Sequence, residues 1–414
     1  MIDQSLVLAG IKIVALVGGI MTSAAYFVLL ERRVAAWVQD RHGPNRVGIP
    51  LTKIRLFGLG QPLADGLKMI FKEEYTPAHV DRRLFWLAPI VIMAAALAIF
   101  AVIPFGSSLP PIPRLGIDEP IPLVVAPMVD VGLLYVFALS SVAVYGVKLG
   151  GWASNSKYSF LGGLRSSAQM IAYELPLGLG ILGIVLTSSS LGLNDIMDRQ
   201  SSTGVWFILS QPLGFMVFLI AAFAEAARLP FDLPECEQEL IGGYHTEYAG
   251  MELLLFLTAE FIHMITASFL ITIMFLGGWH LWGLTGAPDA ALTWPLALLR
   301  IAVFNAKIFG VIMFFMLVRW TWPRFRFDQL MTLAWKVMLP LGILNLVTVA
   351  VLREVLHPSH LGSSMSQGGQ LMLECTVGWS VAIGAWALVA WIGPTVSDNH
   401  PRLDVRSMEV DPQI

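Results

Sequence analysis

Charge is what this sequence has least of. Only 13% of its 414 residues are Asp, Glu, Lys or Arg, against about a quarter in soluble domains, and 56% are hydrophobic, which argues against an ordinary soluble enzyme. Cysteine is nearly missing too. Cys236 and Cys375 are too few for a disulfide framework or a metal cluster, so any redox metal has to reside in another chain. The chain contains no GxxxxGK[ST], no GxGxxG after a strand, no CxxC pair and no GxSxG; nucleotide, iron–sulfur and hydrolase chemistry therefore have no site in it. The net charge of -3 gives no reason to expect a nucleic-acid partner.

What the chain does have is apolar length. Nine runs of helix length can be marked, at roughly 6–30, 84–104, 124–147, 168–190, 204–227, 251–277, 299–320, 332–352 and 372–393, each near the ~20 residues that cross a bilayer. They predict an all-α polytopic bundle with no separate soluble domain, residues 1–393, followed by a polar tail at 394–414. The first run is not expected to be a cleaved signal: Asp3 precedes it, and "ERR" follows it where small residues would mark a cleavage site.

Basic residues in the connections set the expected orientation. The connection 31–83 alone holds ten, and the odd-numbered connections with the tail hold nineteen, against three in the even-numbered ones. Odd connections are expected in the cytoplasm, the N-terminus outside and the C-terminus inside. Within the first connection, "GQPLADGLKMIFKEEY" (60–75) sets Leu63, Leu67, Ile70 and Phe71 on one stripe with Asp65, Lys68, Lys72 and Glu73 off it. That pattern predicts an amphipathic helix lying among membrane lipids at the interface.

Against so little charge, the stretch "AEAARLPFDLPECEQELIGGYHTEYAGMELL" (224–254) is unusual: it carries Glu225, Asp232, Glu235, Glu237, Glu239, Glu247 and Glu252 with Arg228 as its only Lys or Arg. Crowded carboxylates oppose one another's ionisation, so they titrate together and respond to nearby charge; a solvated acidic surface that docks a basic partner is the alternative. Glu174 and Glu260 lie within apolar runs, and Glu225 ends one. Ionised acids in hydrocarbon are costly and face the bundle interior or water, so all three are functional candidates, the plainer reading being structural hydrogen bonding. Asp130 serves equally as an anchor at the outward end of its run. His42, His79 and His245 fall in connections without ligand spacing, and no metal role is expected of them.

Five blocks together are recognisable: "ERRVAAWVQDRHGPNRVG", "QPLADGLKMIFKEE", "GWASNSKYSFLGGLRSSAQMIAYELPLG", "AEAARLPFDLPECEQELIGGYHTEYAGM" and "PRFRFDQLMTLAWKVMLPL". They resemble the H subunit (subunit 1) of the proton-pumping NADH:quinone oxidoreductase, respiratory complex I, over about residues 22–352. The corresponding subunit of membrane-bound hydrogenases is the main competitor. The chain departs from the family pattern at Ala226-Ala227, Leu229 and Cys236, in a longer 49–59 link, and in its last span.

The resemblance implies a subunit of the bacterial inner membrane that forms much of a chamber for ubiquinone or menaquinone and is not catalytic alone. FMN and iron–sulfur clusters are implied in partner subunits, with other membrane and peripheral subunits around it. Glu174, Glu225, Asp232, Glu235, Glu237, Glu247 and Glu260 are implied to form a carboxylate path that couples quinone chemistry to proton movement. Arg32, Arg41, Asp65, Arg228 and Arg319 are candidates for the quinone site, with Arg46 and Arg324 as further polar candidates that serve equally as lipid-facing anchors.

Overall fold

The computed structural model describes residues 4–48, 57–113, 119–127, 129–233, 241–286, 293–356 and 366–396. Among them the architecture is all-α, with a lone antiparallel bridge between Leu109 and Ile121. In chain order the helices are α1 (Gln4–Val38), α2 (Gln61–Phe71), α3 (Arg82–Ala98), α4 (Gly132–Ala153), α5 (Lys157–Ser188), α6 (Leu193–Thr203), α7 (Phe207–Ser210), α8 (Pro212–Glu225), α9 (Gly250–Phe275), α10 (Trp294–Thr321), α11 (Phe327–Thr332), α12 (Leu339–Val355) and α13 (Gln367–Val396). A π-helical turn, Leu333–Met338, joins α11 to α12, and Pro340, which has no amide hydrogen to donate, follows it.

Eight helical segments among the described residues are long and apolar enough to cross a membrane. The expected fifth span is shorter. It breaks at Gln211, whose backbone leaves the helical region (φ -130°, ψ 60°), and resumes with Pro212 in the first turn of α8. Broken backbone at membrane depth needs internal partners; the Gln211 side-chain amide donates to Thr187 Oγ1 (2.9 Å) and Gly183 O (3.3 Å) on α5.

A continuous apolar core joins α3, α4, α5, α8, α9 and α10. The close approaches are made by glycine. A Cβ on Gly146 of α4 would come within 2.8 Å of Ile92 on α3, and one on Gly162 of α5 within 2.7 Å of the Gly243 backbone. The second contact seats the turn Gly243–His245, part of the acidic stretch, directly on α5. Lys307, inside α10, is held by the turn that follows α9: its ammonium donates to Leu276 O (2.6 Å), Gly278 O (2.9 Å) and His280 O (2.5 Å), three carbonyls that give a part-buried cation the partners it needs. Burial and the charges of Lys307 and Arg300 push the His280 imidazole below its ordinary pKa, so it stays neutral there.

On the outside, α1 and α13 present apolar side chains such as Ile11, Val14, Trp379, Ile383 and Trp391, as lipid contact requires. Helix α2 has no buried residue, and its stripe Leu63, Leu67, Ile70 and Phe71 is exposed, the arrangement expected of a helix lying at an interface. Helix α13 docks on the broken fifth span, where Gly378 is so close to the Ser210 carbonyl that a Cβ would lie 2.3 Å from it.

Candidate functional site

The site grows from Glu31. Helix α1 runs for 35 residues, about 52 Å at 1.5 Å per residue, so its last turns project past a hydrocarbon layer of ~30 Å and carry Glu31, Arg32 and Arg33 with them. Glu31 is buried and receives two guanidinium groups: Arg228 Nη1 at 3.0 Å and Arg319 Nη1 at 2.5 Å. Arg319 sits in the last turn of α10, where a helix dipole favours a cation. Arg228, 5% exposed, places its guanidinium carbon 4.1 Å from the centre of the Phe261 ring of α9, a cation–π contact in a desolvated place. One carboxylate faces two cations, which leaves the cluster with one surplus positive charge.

One residue further along α1, Arg32 pairs with Asp65 of α2 at 2.8 Å, and Gln61 donates to the other Asp65 oxygen at 3.0 Å. This pair is more exposed than the Glu31 cluster and ties the interfacial helix to α1. Arg41 stands apart, past the end of α1, bonded to Gln39. An apolar cavity of about 550 Å³ opens between α1, α9 and α10, lined by Ile20, Phe27, Phe269, Ile308 and Ile312 among others. Phe27 is one helical turn from Glu31, so this wall of the cavity approaches the charged cluster.

The acids gather on the other side of the core. On α4, Ser140 donates to Glu225 of α8 and Ser141 to Glu174 of α5. Adjacent serines on one helix thus hold carboxylates from two others, close enough for the two acids to interact electrically. Both carboxylates are half-buried. Glu260 on α9 accepts from Tyr244 Oη at 2.7 Å, which links α9 to the turn seated on α5. Asp232 is buried and paired with Arg324 at 3.3 Å, and Gln169 of α5 pins the surrounding loop by donating to Ala224 O and Phe231 O. Glu247 is half-buried beside the same turn. Glu252, buried in the first turn of α9, neighbours Tyr248, whose hydroxyl is raised above its ordinary pKa first by burial and then by Glu252; it remains protonated and donates to Phe85 O at 3.2 Å.

The structure therefore brings Glu174 and Glu225 together through one helix, and Arg228 and Arg319 together through Glu31, whereas Arg32 and Asp65 form a separate pair. Glu235 and Glu237, with Glu239 and Cys236, lie outside the described residues. Asp130 is exposed, two residues before α4, and so fits an anchor. Among the described residues no group of three or more His, Cys, Asp or Glu is placed to hold a metal. Sequence reasoning missed Glu31, the hub of the charged cluster. Its signal was present, an acid between an apolar run and two arginines, but its partners lie 197 and 288 residues away in the chain. Ser140 and Ser141 were missed because neutral hydroxyls in an apolar run carry no sign of what they hold, and Tyr244 because nothing in the acidic stretch marks which hydroxyl reaches α9.

A family model described as NADH dehydrogenase matches residues 11–350. The chain is 47% identical to the first of the numbered H subunits of NADH-quinone oxidoreductase from Geobacter metallireducens over 346 residues, 84% of this chain and 96% of the relative. It is 48% identical to the second such H subunit of Geobacter sulfurreducens over 338 residues, 82% of this chain and 94% of the relative. The H subunit from Leptospira biflexa is 46% identical over 347 residues, 82% and 94% of the two chains. Helix α13 begins beyond the family match. With half the chain and more under one family model and relatives of this identity along nearly their whole length, the chain belongs to the family of NADH-quinone oxidoreductase H subunits.

Proposed function

We propose that the chain is the membrane subunit of an NADH-quinone oxidoreductase in which the apolar cavity beside α1 receives the isoprenoid tail of a quinone and the carboxylates held by α4 pass the effect of quinone reduction into the membrane. The observation that carries this reading is an apolar cavity whose wall includes Phe27, one helical turn from Glu31 in a buried, net-positive cluster. Binding sites for apolar molecules combine such walls with a few fixed polar groups, and positive charge near the quinone head stabilises the negative charge that builds up during its reduction. Electrons reach the chamber from NADH through FMN and iron–sulfur clusters in partner subunits, and this chain alone carries out no reaction. Asp232, Glu235, Glu237 and Glu247 form the cytoplasmic mouth of the path, and Glu225, Glu174 and Glu260 its membrane part.

Arg32 and Asp65 test the chamber. Their ion pair is partly exposed and contributes about 1 kcal/mol or less to stability, so its removal should disturb the shape of the chamber more than the fold. Arg32→Ala and Asp65→Asn are expected to lower quinone reduction by the assembled complex severalfold, while NADH oxidation with an artificial acceptor, which needs the flavin-bearing partner only, stays near normal. Equal loss of both activities, with little assembled complex, assigns the pair to assembly instead.

The chain lies in the bacterial inner membrane with its basic connections in the cytoplasm. Which side holds the C-terminus depends on the short fifth span. From Phe207 to Glu225 the chain covers 19 residues, about 28 Å of helix, which just matches a hydrocarbon layer of ~30 Å. If it crosses, there are nine crossings and the N-terminus lies outside with the tail inside. A cysteine placed in 397–414, in a Cys236→Ser/Cys375→Ser background, is then expected to react with an impermeant maleimide only from the cytoplasmic side of sealed vesicles. Labelling from the outer side alone would remove one crossing.

A further inference from the structure

His263 is a buried imidazole that the reading above does not use. It lies on α9, 6% exposed, and its Nε2 has no hydrogen-bond partner among the described residues. An unpartnered polar atom in a hydrocarbon interior is costly, and such atoms are exceptional in folded chains. The same side chain lines a small cavity of about 10 Å³ with Glu225, Ser140 and Thr266. That is the room of a single water. Ser140 already donates to Glu225, and the Thr266 hydroxyl donates to Ile262 O at 3.0 Å, so the groups left to make use of a water in that space are the Glu225 carboxyl, the lone pairs of the two hydroxyls and the ring nitrogen. Two to four polar partners are what a buried water needs.

We infer that His263 is a proton station one water away from Glu225, working on the path proposed above. The step balances without any other reactant. The Glu225 carboxyl gives its proton to the water, and the water gives one of its own to Nε2, leaving a carboxylate and an imidazolium; the reverse restores both neutral groups. Histidine suits the place because its ring nitrogen can take up a proton and give it back. The charged groups on the elements packed around it are Glu225 on α8, which lines the same cavity, Glu174, held by the neighbouring serine of α4, and Glu260, three positions earlier on its own helix; Arg228 lies over Phe261, two positions earlier and so on the far side of α9. An imidazolium formed there has the Glu225 carboxylate across the shared cavity.

The test separates hydrogen bonding from titration. Glutamine and asparagine keep polar contacts with a water but do not accept a proton near neutral pH; phenylalanine keeps the ring and loses both properties. In complex purified intact, with subunit content as the control for assembly and NADH oxidation by an artificial acceptor as the control for the flavin-bearing partner, His263→Gln, His263→Asn and His263→Phe are all expected to lower quinone reduction and proton translocation by about tenfold or more. Near wild-type coupled turnover in the Gln or Asn variant overturns the station, because a hydrogen-bonding role alone would then suffice, and near wild-type turnover in the Phe variant overturns it as well. Glu225→Gln is measured beside them. Intact turnover there removes the path itself, whereas intact turnover in His263→Gln next to an inactive Glu225→Gln removes the station and leaves the path standing.

Discussion

Replacing Glu174 or Glu225 by Gln is expected to slow coupled quinone reduction by roughly two orders of magnitude, the low end of what a positioned proton-transfer group supplies, with proton translocation falling in step. The substitution is unusually clean at these positions. Ser140 and Ser141 hold the two carboxylates as donors, and a glutamine Oε1 accepts the same donation, so side-chain volume and hydrogen bond survive and only titration is removed. Ser141→Ala does the converse, deleting the donor and keeping the acid, and should cost much less. Glu174→Asp and Glu225→Asp, which keep the charge and shorten the reach, should fall between. The same measurement on Asp232→Asn, Glu235→Gln and Glu247→Gln asks whether the mouth of the path acts with its membrane part. The double variant Glu235→Gln/Glu237→Gln should depart from additivity, as jointly titrating groups do. Assembled variants that reduce quinone and translocate protons at wild-type rates would make the membrane acids structural and the acidic stretch a docking surface.

How much of this could be read from sequence depended on distance along the chain. The apolar runs were legible because hydrocarbon imposes length and composition on every span, and the stripe of α2 was legible because its period is local. Helix edges were not. Helix α5 starts at Lys157, eleven residues before the apolar run, since "KYSFLGGLRSS" is helical for a tertiary reason: Gly162 and Gly163 let the turn at Gly243 and the facing Gly151 come close. The third span shows the reverse, with α4 starting at Gly132, because residues 124–127 and 129–131, apolar as most of them are, belong to the connection that pairs Ala126 with Ala101 and Leu109 with Ile121. At the site, sequence named the acids and arginines by the oddness of charge in an apolar chain. It did not tell which would meet, and so it grouped Arg32 with Arg228 and Arg319, which the fold divides between an exposed pair with Asp65 and a buried cluster on Glu31.

That cluster yields the other large expected effect, and its sign follows from counting charge. With Glu31 ionised between Arg228 and Arg319, the buried group carries one net positive charge. Glu31→Gln raises it to two and leaves two guanidinium groups facing each other across a neutral amide. Removing one partner of a buried pair costs about 3–5 kcal/mol, mostly the penalty of the charge left behind. Arg228→Met instead leaves Glu31 with Arg319, a neutral pair with one hydrogen-bonded partner, and its methionine can still lie on the Phe261 ring where the guanidinium lay. The expectation is therefore asymmetric: Glu31→Gln depletes assembled complex and sharply lowers its thermal stability, and Arg228→Met does so less. Combining them should help, because Glu31→Gln/Arg228→Met leaves Arg319 alone, at the end of α10 and partly exposed, able to turn its charge toward water. The double variant is expected to assemble better than Glu31→Gln, a coupling of the kind that residues sharing one buried network show. Additive losses, or an Arg228→Met as damaging as Glu31→Gln, would mean that shape rather than charge balance holds α1 to the acidic loop. Quinone reduction should follow a different order from stability in this series. The double variant regains the fold, yet it lacks the positive charge that Arg228 adds to the Glu31 cluster, so its quinone reduction should stay low while the amount of assembled complex recovers.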